Sequence, residues 1–285
     1  MLKLMAEETM PNETRSVDVA LDIAAPVDVV WRALTDPDEL VRWFPYQAQV
    51  TPGAGGAVTW SWDEKWTWES AIDLWEPGRR LRLVQDAQRP FDVEGGVLPP
   101  GEVAAARMIM DFTLETLLGA TRLRLVHSGF GRGSAWDDEL DGVRTGWGHE
   151  LRNLAFYLER HRGKQRYIGT SHLTWDGSQE ETWQRLLSPA AFTLLPSNAG
   201  AGDAYRIEVS TGDCLDGIVR QRVADREFTG TLKALDDGIL RIGTHRSMGR
   251  TGVQVFFASY NAGHAAHVRE LGSRAQELLQ RLFGA

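Results

Sequence analysis

The feature that most constrains the fold is an order of elements that occurs twice: a strand, a helical segment, a run of strands and a closing amphipathic helix. In the first round, residues 17–25 alternate apolar and polar side chains, and short helices begin near Pro26 and Asp36. Further strands are predicted at 57–63, 66–75, 79–86, 103–118 and 121–128, before a helix that is clearest at 148–160. This order predicts a bent antiparallel sheet wrapped around the last helix, with a cavity between them.

A shorter second round follows the first. Its strands are predicted at about 204–210, 215–223, 226–234, 238–245 and 252–259, and a helix with one apolar stripe closes it. The two rounds share little sequence identity, so the order of elements alone supports the repeat. We therefore predict an α+β protein of two lobes, with a flexible N-terminus at 1–14, a first domain at 15–162 and a second, degenerate domain at 165–285.

Charge and composition exclude several classes of protein. The net charge is −8, yet residues 165–285 hold 13 Lys and Arg against 13 Asp and Glu, so the excess negative charge lies in the first part. Neither part has the basic patch that nucleic-acid binding needs. No segment approaches the ~18 apolar residues of a membrane span, and the N-terminus lacks a signal peptide, so a cytoplasmic protein is expected. Cys214 is the single cysteine, which excludes an intrachain disulfide.

The densest aromatic cluster is "TWSWDEKWTWES" at 59–70, which contains Trp60, Trp62, Trp66 and Trp68. If "DEK" is a hairpin loop, Trp62 lies across from Trp66 and Trp60 across from Trp68, all on one face. The other face is polar, so the indoles should point inward, toward the cavity. They either fill the core or line a pocket for an apolar ligand, and the volume of that cavity decides: ~300 Å³ or more favours a ligand.

Other residues are expected to face the same cavity. Met110 and Phe112 belong to the inward face of their strand, and Trp147 and Leu151 to the apolar stripe of the closing helix. His127 continues an inward face toward the open end, where its imidazole could anchor a ligand or act as a base, or simply bond to a loop carbonyl. Tyr46 could add a polar group at the rim, and the Pro- and Gly-rich segment at 88–102 is a candidate lid.

No cofactor or metal site is predicted. His264 and His267 have a spacing that can share a metal ion, but no third ligand is visible nearby. The glycine-rich segments lack the helix and the Lys-Ser/Thr of a phosphate-binding loop.

Several segments together resemble the START-like (SRPBCC, helix-grip) superfamily, and within it the activator of Hsp90 ATPase homologue 1-like branch. They are "IAAPVDVVWRALTDPDELVRWF" at 23–44, "GG" at 55–56, "DLWEPGRRLRL" at 73–83, "TRLRLVHSGF" at 121–130 and "GWGHELRNLAFYLERH" at 146–161. The resemblance covers about residues 15–162 and implies a seven-stranded sheet that grips the C-terminal helix around a ligand cavity. It implies no reaction, because proteins of this fold have diverse functions.

The resulting hypothesis is a binding protein for a small hydrophobic or aromatic ligand in the first lobe, without a clear catalytic constellation. Two alternatives stay open: a cyclase- or hydratase-like enzyme that uses His127 as acid or base, and an interaction module similar to an Hsp90 co-chaperone. The second lobe would then be a scaffold or a homodimer partner that stabilises the first.

Overall fold

The computed structural model describes residues 14–62, 67–86, 107–131, 134–247 and 250–284. The expected flexible N-terminus, except for Thr14, and the candidate lid at 88–102 lie outside these ranges. The strands of the first lobe are β1 (Arg15–Ile23), β2 (Gln47–Thr51), β3 (Ala57–Ser61), β4 (Thr67–Glu76), β5 (Arg80–Asp86), β6 (Arg107–Leu117) and β7 (Ala120–Phe130). Its helices are α1 (Val27–Thr35), α2 (Pro37–Leu40) and α3 (Ser134–Phe156), which continues as a π-helical turn over Tyr157–His161.

The strands of the first lobe form one antiparallel sheet in the order β1-β7-β6-β5-β4-β3-β2. Alternation along each strand decides which face is buried: in β6, every second residue from Met108 to Leu114 is buried. Leu114 shares a hydrophobic cluster with Leu151 and Leu154 of α3. The sheet therefore buries its apolar face against the long helix, as the sequence predicts.

The second lobe repeats this arrangement. Its strands are β8 (Tyr167–Trp175), β9 (Phe192–Leu195), β10 (Ala204–Val209), β11 (Cys214–Val223), β12 (Glu227–Leu232), β13 (Gly238–Ser247) and β14 (Arg250–Ser259). Its helices are α4 (Gln179–Leu186) and α5 (Ala265–Phe283). The strand order β8-β14-β13-β12-β11-β10-β9 is that of the first sheet, since the first strand again lies beside the last.

The predicted fold class, an α+β protein of two helix-grip lobes, is confirmed. Two strands, β2 and β9, were not predicted from the sequence. Each lies at the edge of its sheet and is short, with five and four residues respectively. The sequence of β2 alternates, but over so few residues that the pattern is a weak signal. The predicted domain boundary between residues 162 and 165 stays a prediction.

Helix α3 is covered on two sides. One side faces its own sheet, and the other faces the outer surface of the second lobe's sheet. Alternation along β14 produces this arrangement: Val255 and Phe257 belong to the core of the second lobe, whereas Phe256 and Ala258 belong to the hydrophobic cluster of the first. Tyr260 also joins that cluster, and its hydroxyl donates to the carbonyl oxygen of Arg42 at 3.0 Å. The two lobes therefore share a packed interface along α3.

Within the described ranges, no helix combines the length and the hydropathy that a transmembrane segment needs.

Candidate ligand-binding site

The tryptophan-rich hairpin forms as the alternation predicts. Trp60 of β3 lies opposite Trp68 of β4, and Ser61 lies opposite Thr67, with the two hydroxyl oxygens 3.0 Å apart. Trp62 follows the last residue of β3, and Trp66 lies outside the described residues. Trp62 and Trp68 meet edge to face, with ring centroids 5.2 Å apart, so these indoles form an aromatic wall on the inner side of the hairpin.

Four residues expected to line the cavity lie in the packed core. Trp60 and Phe112 are 2% exposed, Leu151 is 1% exposed and Met110 is fully buried. The ring of Phe112 meets that of Trp147 edge to face at a centroid distance of 5.7 Å. Side chains therefore fill most of the space between the sheet and α3.

A smaller apolar pocket remains beside this core, and we call it the tryptophan pocket. It has a volume of about 80 Å³ and is lined by Phe44, Trp62, Trp68, His127, Val143, Gly146, Trp147 and Glu150. Pockets for drug-sized ligands have roughly 300 Å³ or more. The tryptophan pocket is below the volume that the sequence-based prediction required for a ligand, and it has room for no more than a single ring or a fragment of similar size.

His127 supplies a hydrogen-bond donor to this pocket. The indole nitrogen of Trp147 donates to His127 Nδ1 at 3.0 Å. Because an indole N–H can only donate, Nδ1 must carry a lone pair, and the neutral imidazole holds its proton on Nε2. Burial lowers the pKa of His127 to about 4, so the ring is neutral at pH 7. His127 Nε2 is buried and has no hydrogen-bond partner among the described residues.

A second, polar pocket lies between the lobes, and we call it the inter-lobe pocket. It has a volume of about 50 Å³ and is lined by Phe44, Tyr46, Trp62, His149, Glu150, Asn153, Arg166, Arg241, Gln254 and Phe256. Tyr46, expected at the rim of the cavity, lies here instead of in the tryptophan pocket. Phe44, Trp62 and Glu150 line both pockets, so the two share a wall.

Glu150 is the polar residue of this wall, and it was not predicted from the sequence. Its Oε2 accepts a long hydrogen bond of 3.5 Å from Asn153 Nδ2. Burial raises the pKa of Glu150 to about 7, although Arg241 and Arg166 act in the opposite direction. One signal was available: Glu150 lies three and four residues after Trp147 and Gly146, which places a carboxyl group on the pocket face of α3.

The remaining residues of the inter-lobe pocket could not be found from the sequence. Arg241, Gln254 and Phe256 lie on β13 and β14 of the second lobe. Alternation shows that these strands have an outer face, but it does not show which surface that face will contact. Docking of two lobes is decided by tertiary packing, which leaves no local pattern in either strand.

The histidines considered as metal ligands have other surroundings. His264 Nδ1 lies 3.3 Å from the hydroxyl oxygen of Ser259, and His264 Nε2 lies 3.9 Å from Asp236 Oδ2. Over the part of the chain that the structure describes, no group of three or more His, Cys, Asp or Glu side chains could hold a metal ion.

Comparison with known proteins gives one family match. Residues 24–159 match the family described as "Activator of Hsp90 ATPase homolog 1-like protein". The match begins just after β1 and ends within the π-helical turn, so it lies entirely in the first lobe. No curated protein matches the chain.

Solved structures with similar folds include single-domain and two-domain proteins. The protein MLL2253 from Mesorhizobium loti is 25% identical, with a TM-score of 0.42, over 52% of this chain and 99% of that protein. DynU16, described as a putative protein in the dynemicin biosynthetic locus, is 19% identical, with a TM-score of 0.41, over 93% of this chain and 98% of its own. The di-domain ARO/CYC protein BexL from the BE-7585A biosynthetic pathway is 15% identical, with a TM-score of 0.40, over 94% and 93%.

The family match agrees with the segments in which the sequence resembles this branch, from the first helix at Pro26 to the closing helix. The resemblance of the first lobe to the activator of Hsp90 ATPase homolog 1-like family is therefore confirmed over residues 24–159.

Proposed function

We propose that the first lobe binds a small aromatic ligand, about the size of one ring, in the tryptophan pocket. The observation that carries this proposal is His127, which lines the aromatic pocket and whose buried Nε2–H has no hydrogen-bond partner among the described residues. A buried donor left unpaired costs roughly 1–3 kcal/mol. A ligand oxygen that accepts from Nε2 would remove this penalty, so the ligand should carry a hydrogen-bond acceptor on its ring or next to it.

The pocket walls favour an aromatic ring. Trp62, Trp68 and Trp147 line the pocket, and Phe44 meets Trp62 edge to face at 5.0 Å between ring centroids. Aromatic pairs in offset or edge-to-face arrangements gain about 0.5–1.5 kcal/mol beyond the burial of their area. A flat ring inserted between these side chains can make several such contacts, whereas an aliphatic ligand of the same size cannot.

The same geometry argues against His127 as an acid or base. Its only lone pair, on Nδ1, accepts the hydrogen bond from Trp147. With a pKa of about 4, the ring would have to lose that bond and take up a buried charge to accept a proton at neutral pH. His127 is thus suited to donate a hydrogen bond to a ligand, which supports binding over the cyclase- or hydratase-like alternative. The interaction-module alternative rests on the family resemblance alone.

Two glycines of α3 provide a matched test. A Cβ atom added to either Gly146 or Gly142 meets no atom within 4 Å, but only Gly146 lines the tryptophan pocket. Gly146→Leu should fill the pocket and Gly142→Leu should leave it open, while both replace a helical glycine by a better helix former.

The probe is acetophenone, a single ring with a carbonyl acceptor, and its affinity is measured by NMR titration. We expect the wild type and Gly142→Leu to bind with equal affinity and Gly146→Leu to bind about tenfold or more weakly, a loss of at least about 1.4 kcal/mol. Unchanged affinity in Gly146→Leu, or no binding to the wild type, would contradict the proposal.

A further inference from the structure

The interface between the lobes contains one buried and two half-buried arginines in a chain whose net charge is −8. Arg166, which joins α3 to β8, is only 8% exposed. Its Nη2 donates to two backbone carbonyl oxygens, those of Phe44 at 3.1 Å and Pro45 at 2.8 Å. No described carboxylate lies within salt-bridge distance of Arg166. Its positive charge is thus held in the wall of the inter-lobe pocket by neutral acceptors.

A second arginine of the interface has similar surroundings. Arg220 donates from Nη1 to Asn153 Oδ1 at 3.3 Å and from Nη2 to the carbonyl oxygen of Arg152 at 2.8 Å. Its guanidinium also lies over the ring of Phe156, 4.1 Å from the centroid. These partners are all uncharged, so Arg220 adds a second positive charge that no described carboxylate pairs directly.

Only the third arginine has an ionic partner. Arg241 Nε donates to Glu227 Oε2 at 2.9 Å, Arg241 Nη2 lies 2.8 Å from the same oxygen, and Nη1 donates to Gln254 Oε1 at 2.6 Å. Glu227 is 1% exposed, so the carboxylate of this ion pair is buried, and the amide oxygen of Gln254 accepts a further N–H of the guanidinium. Arg241 and Glu227 cancel each other. The charge of Arg166 remains in the wall of the inter-lobe pocket, whereas Arg220 lies at the interface without lining the pocket.

Glu150 is the one other acid of the inter-lobe pocket, and it compensates this charge only partly. Burial raises its pKa to about 7, so about half of the molecules carry it as the neutral acid at neutral pH. His149 beside it has a pKa well below its usual value because of burial, so it adds no positive charge. When Glu150 is protonated, the inter-lobe pocket has buried positive charge and no free anion. Buried charges are stable when they are paired.

We propose that the inter-lobe pocket binds the carboxylate of an aromatic acid whose ring occupies the tryptophan pocket. The two pockets share Phe44, Trp62 and Glu150, so one small molecule can extend from one into the other along this wall. Arginine suits this role because its planar donors match both oxygens of a carboxylate. The inference rests on the proposed function, and it gives the second lobe a part in the site through Arg241 and Gln254.

The proposal requires Glu150 to be neutral when the acid binds, since two carboxylates in one buried pocket repel each other. The groups that face Glu150 are Arg166, Arg241, Glu227, His149 and Asn153. Because only molecules with protonated Glu150 can bind the acid, the apparent affinity should fall about tenfold between about pH 6 and pH 8. A free carboxylic acid titrates near pH ~4, so the probe itself stays ionised over this range.

The test compares two acids with their own amides: phenylacetate with phenylacetamide, and 3-phenylpropionate with 3-phenylpropionamide. Affinities for the full chain are measured by NMR titration at about pH 6 and pH 8. We expect both amides to bind at both pH values, and the better-fitting acid to bind about tenfold more tightly than its amide at pH 6 only.

Variants show which residues produce the preference for the acid over its amide. Glu150→Gln should keep the preference for the acid at pH 8, whereas Glu277→Gln, an exposed change on α5, should behave as the wild type. Arg166→Gln should lose the preference and keep the affinity for the amides. Equal affinities for acid and amide in the wild type at pH 6, or a preference that persists in Arg166→Gln, would overturn this inference alone. Failure of all four probes to bind would overturn the proposed function as well.

Discussion

The two lobes share one topology but differ in how closely the long helix approaches the sheet. In the first lobe, the rings of Trp147 and Phe112 lie between α3 and the strands, and a pocket of about 80 Å³ remains. In the second lobe, the pocket that lies between α5 and the sheet has a volume of about 10 Å³. The buried face of α5 carries one aromatic ring, Phe283, which meets Trp175 of β8 near the end of the helix; its other buried residues include Val268, Leu271 and Ala275.

Two glycines explain the close approach in the second lobe. A Cβ atom on Gly272 of α5 would lie 2.8 Å from the backbone nitrogen of Thr170 in β8, and one on Gly169 would overlap the carbonyl oxygen of Val268. The helix backbone therefore rests directly on the strand, and only glycine fits at either position. Side-chain size at the helix–sheet contact, and not topology, decides whether a lobe of this fold keeps a pocket.

The largest effect on stability is expected from a substitution at the contact between α5 and β8. Gly169→Ala places a methyl group against the carbonyl of Val268 and must push α5 away from β8, which should lower the free energy of unfolding by about 3 kcal/mol. Urea denaturation measures this change. Gly200→Ala is the control in the same lobe, because its added Cβ would meet only Asp203 Oδ2 at 3.8 Å. Equal stability of the two variants would show that the close approach of Gly169 to Val268 does not contribute to the free energy of unfolding.

A smaller effect is expected from Glu150, since α3 carries a half-buried carboxyl on its pocket face. The folded protein holds this proton more tightly than an unfolded chain, where the pKa is near 4.5, because burial raises it to about 7. The stabilising contribution is complete below pH 4.5 and is lost as the pH rises through 7.

Glu150→Gln should therefore equal the wild type in stability near pH 5 and exceed it by about 2 kcal/mol near pH 8. Denaturation curves at the two pH values provide the comparison, with Glu277→Gln as a control on the other long helix. If the difference in unfolding free energy between Glu150→Gln and the wild type is the same at both pH values, Glu150 does not have the raised pKa.

The smallest effect concerns the donor in the tryptophan pocket. His127→Asn can keep an acceptor for the Trp147 indole while it removes the Nε2–H. Affinity for acetophenone should fall about three- to tenfold, as expected for the loss of one hydrogen bond of about 1 kcal/mol, and affinity for toluene should not change. An equal loss for both probes would mean that the variant alters the shape of the pocket and not its hydrogen bonding.

The fold was largely predictable because its strands and long helices have clear periodicity. The alternation around Trp60 and Trp68 gave the correct pairing across the hairpin. The edge strands β2 and β9 were not predictable, because a pattern of four or five residues is too short to distinguish a strand from a loop.

The site was predictable only in part, because patterns show which face a residue occupies but not how much space is left there. Trp60 and Trp68 have the same pattern in the sequence, yet Trp60 is 2% exposed in the core and Trp68 lines the pocket. Arg166 and Arg241 join the site through docking of the lobes, which no single segment of the chain encodes.

One spectrum tests the central claim that the first lobe holds a ligand pocket and the second does not. The indole N–H signals of tryptophans in both lobes are recorded by NMR while acetophenone is added to the intact protein. The signals of Trp62, Trp68 and Trp147, which line the pocket, should shift with saturation, and those of Trp175 and Trp183 in the second lobe should stay in place. Shifts confined to Trp175 and Trp183, or no shift at a saturating concentration, would contradict the account.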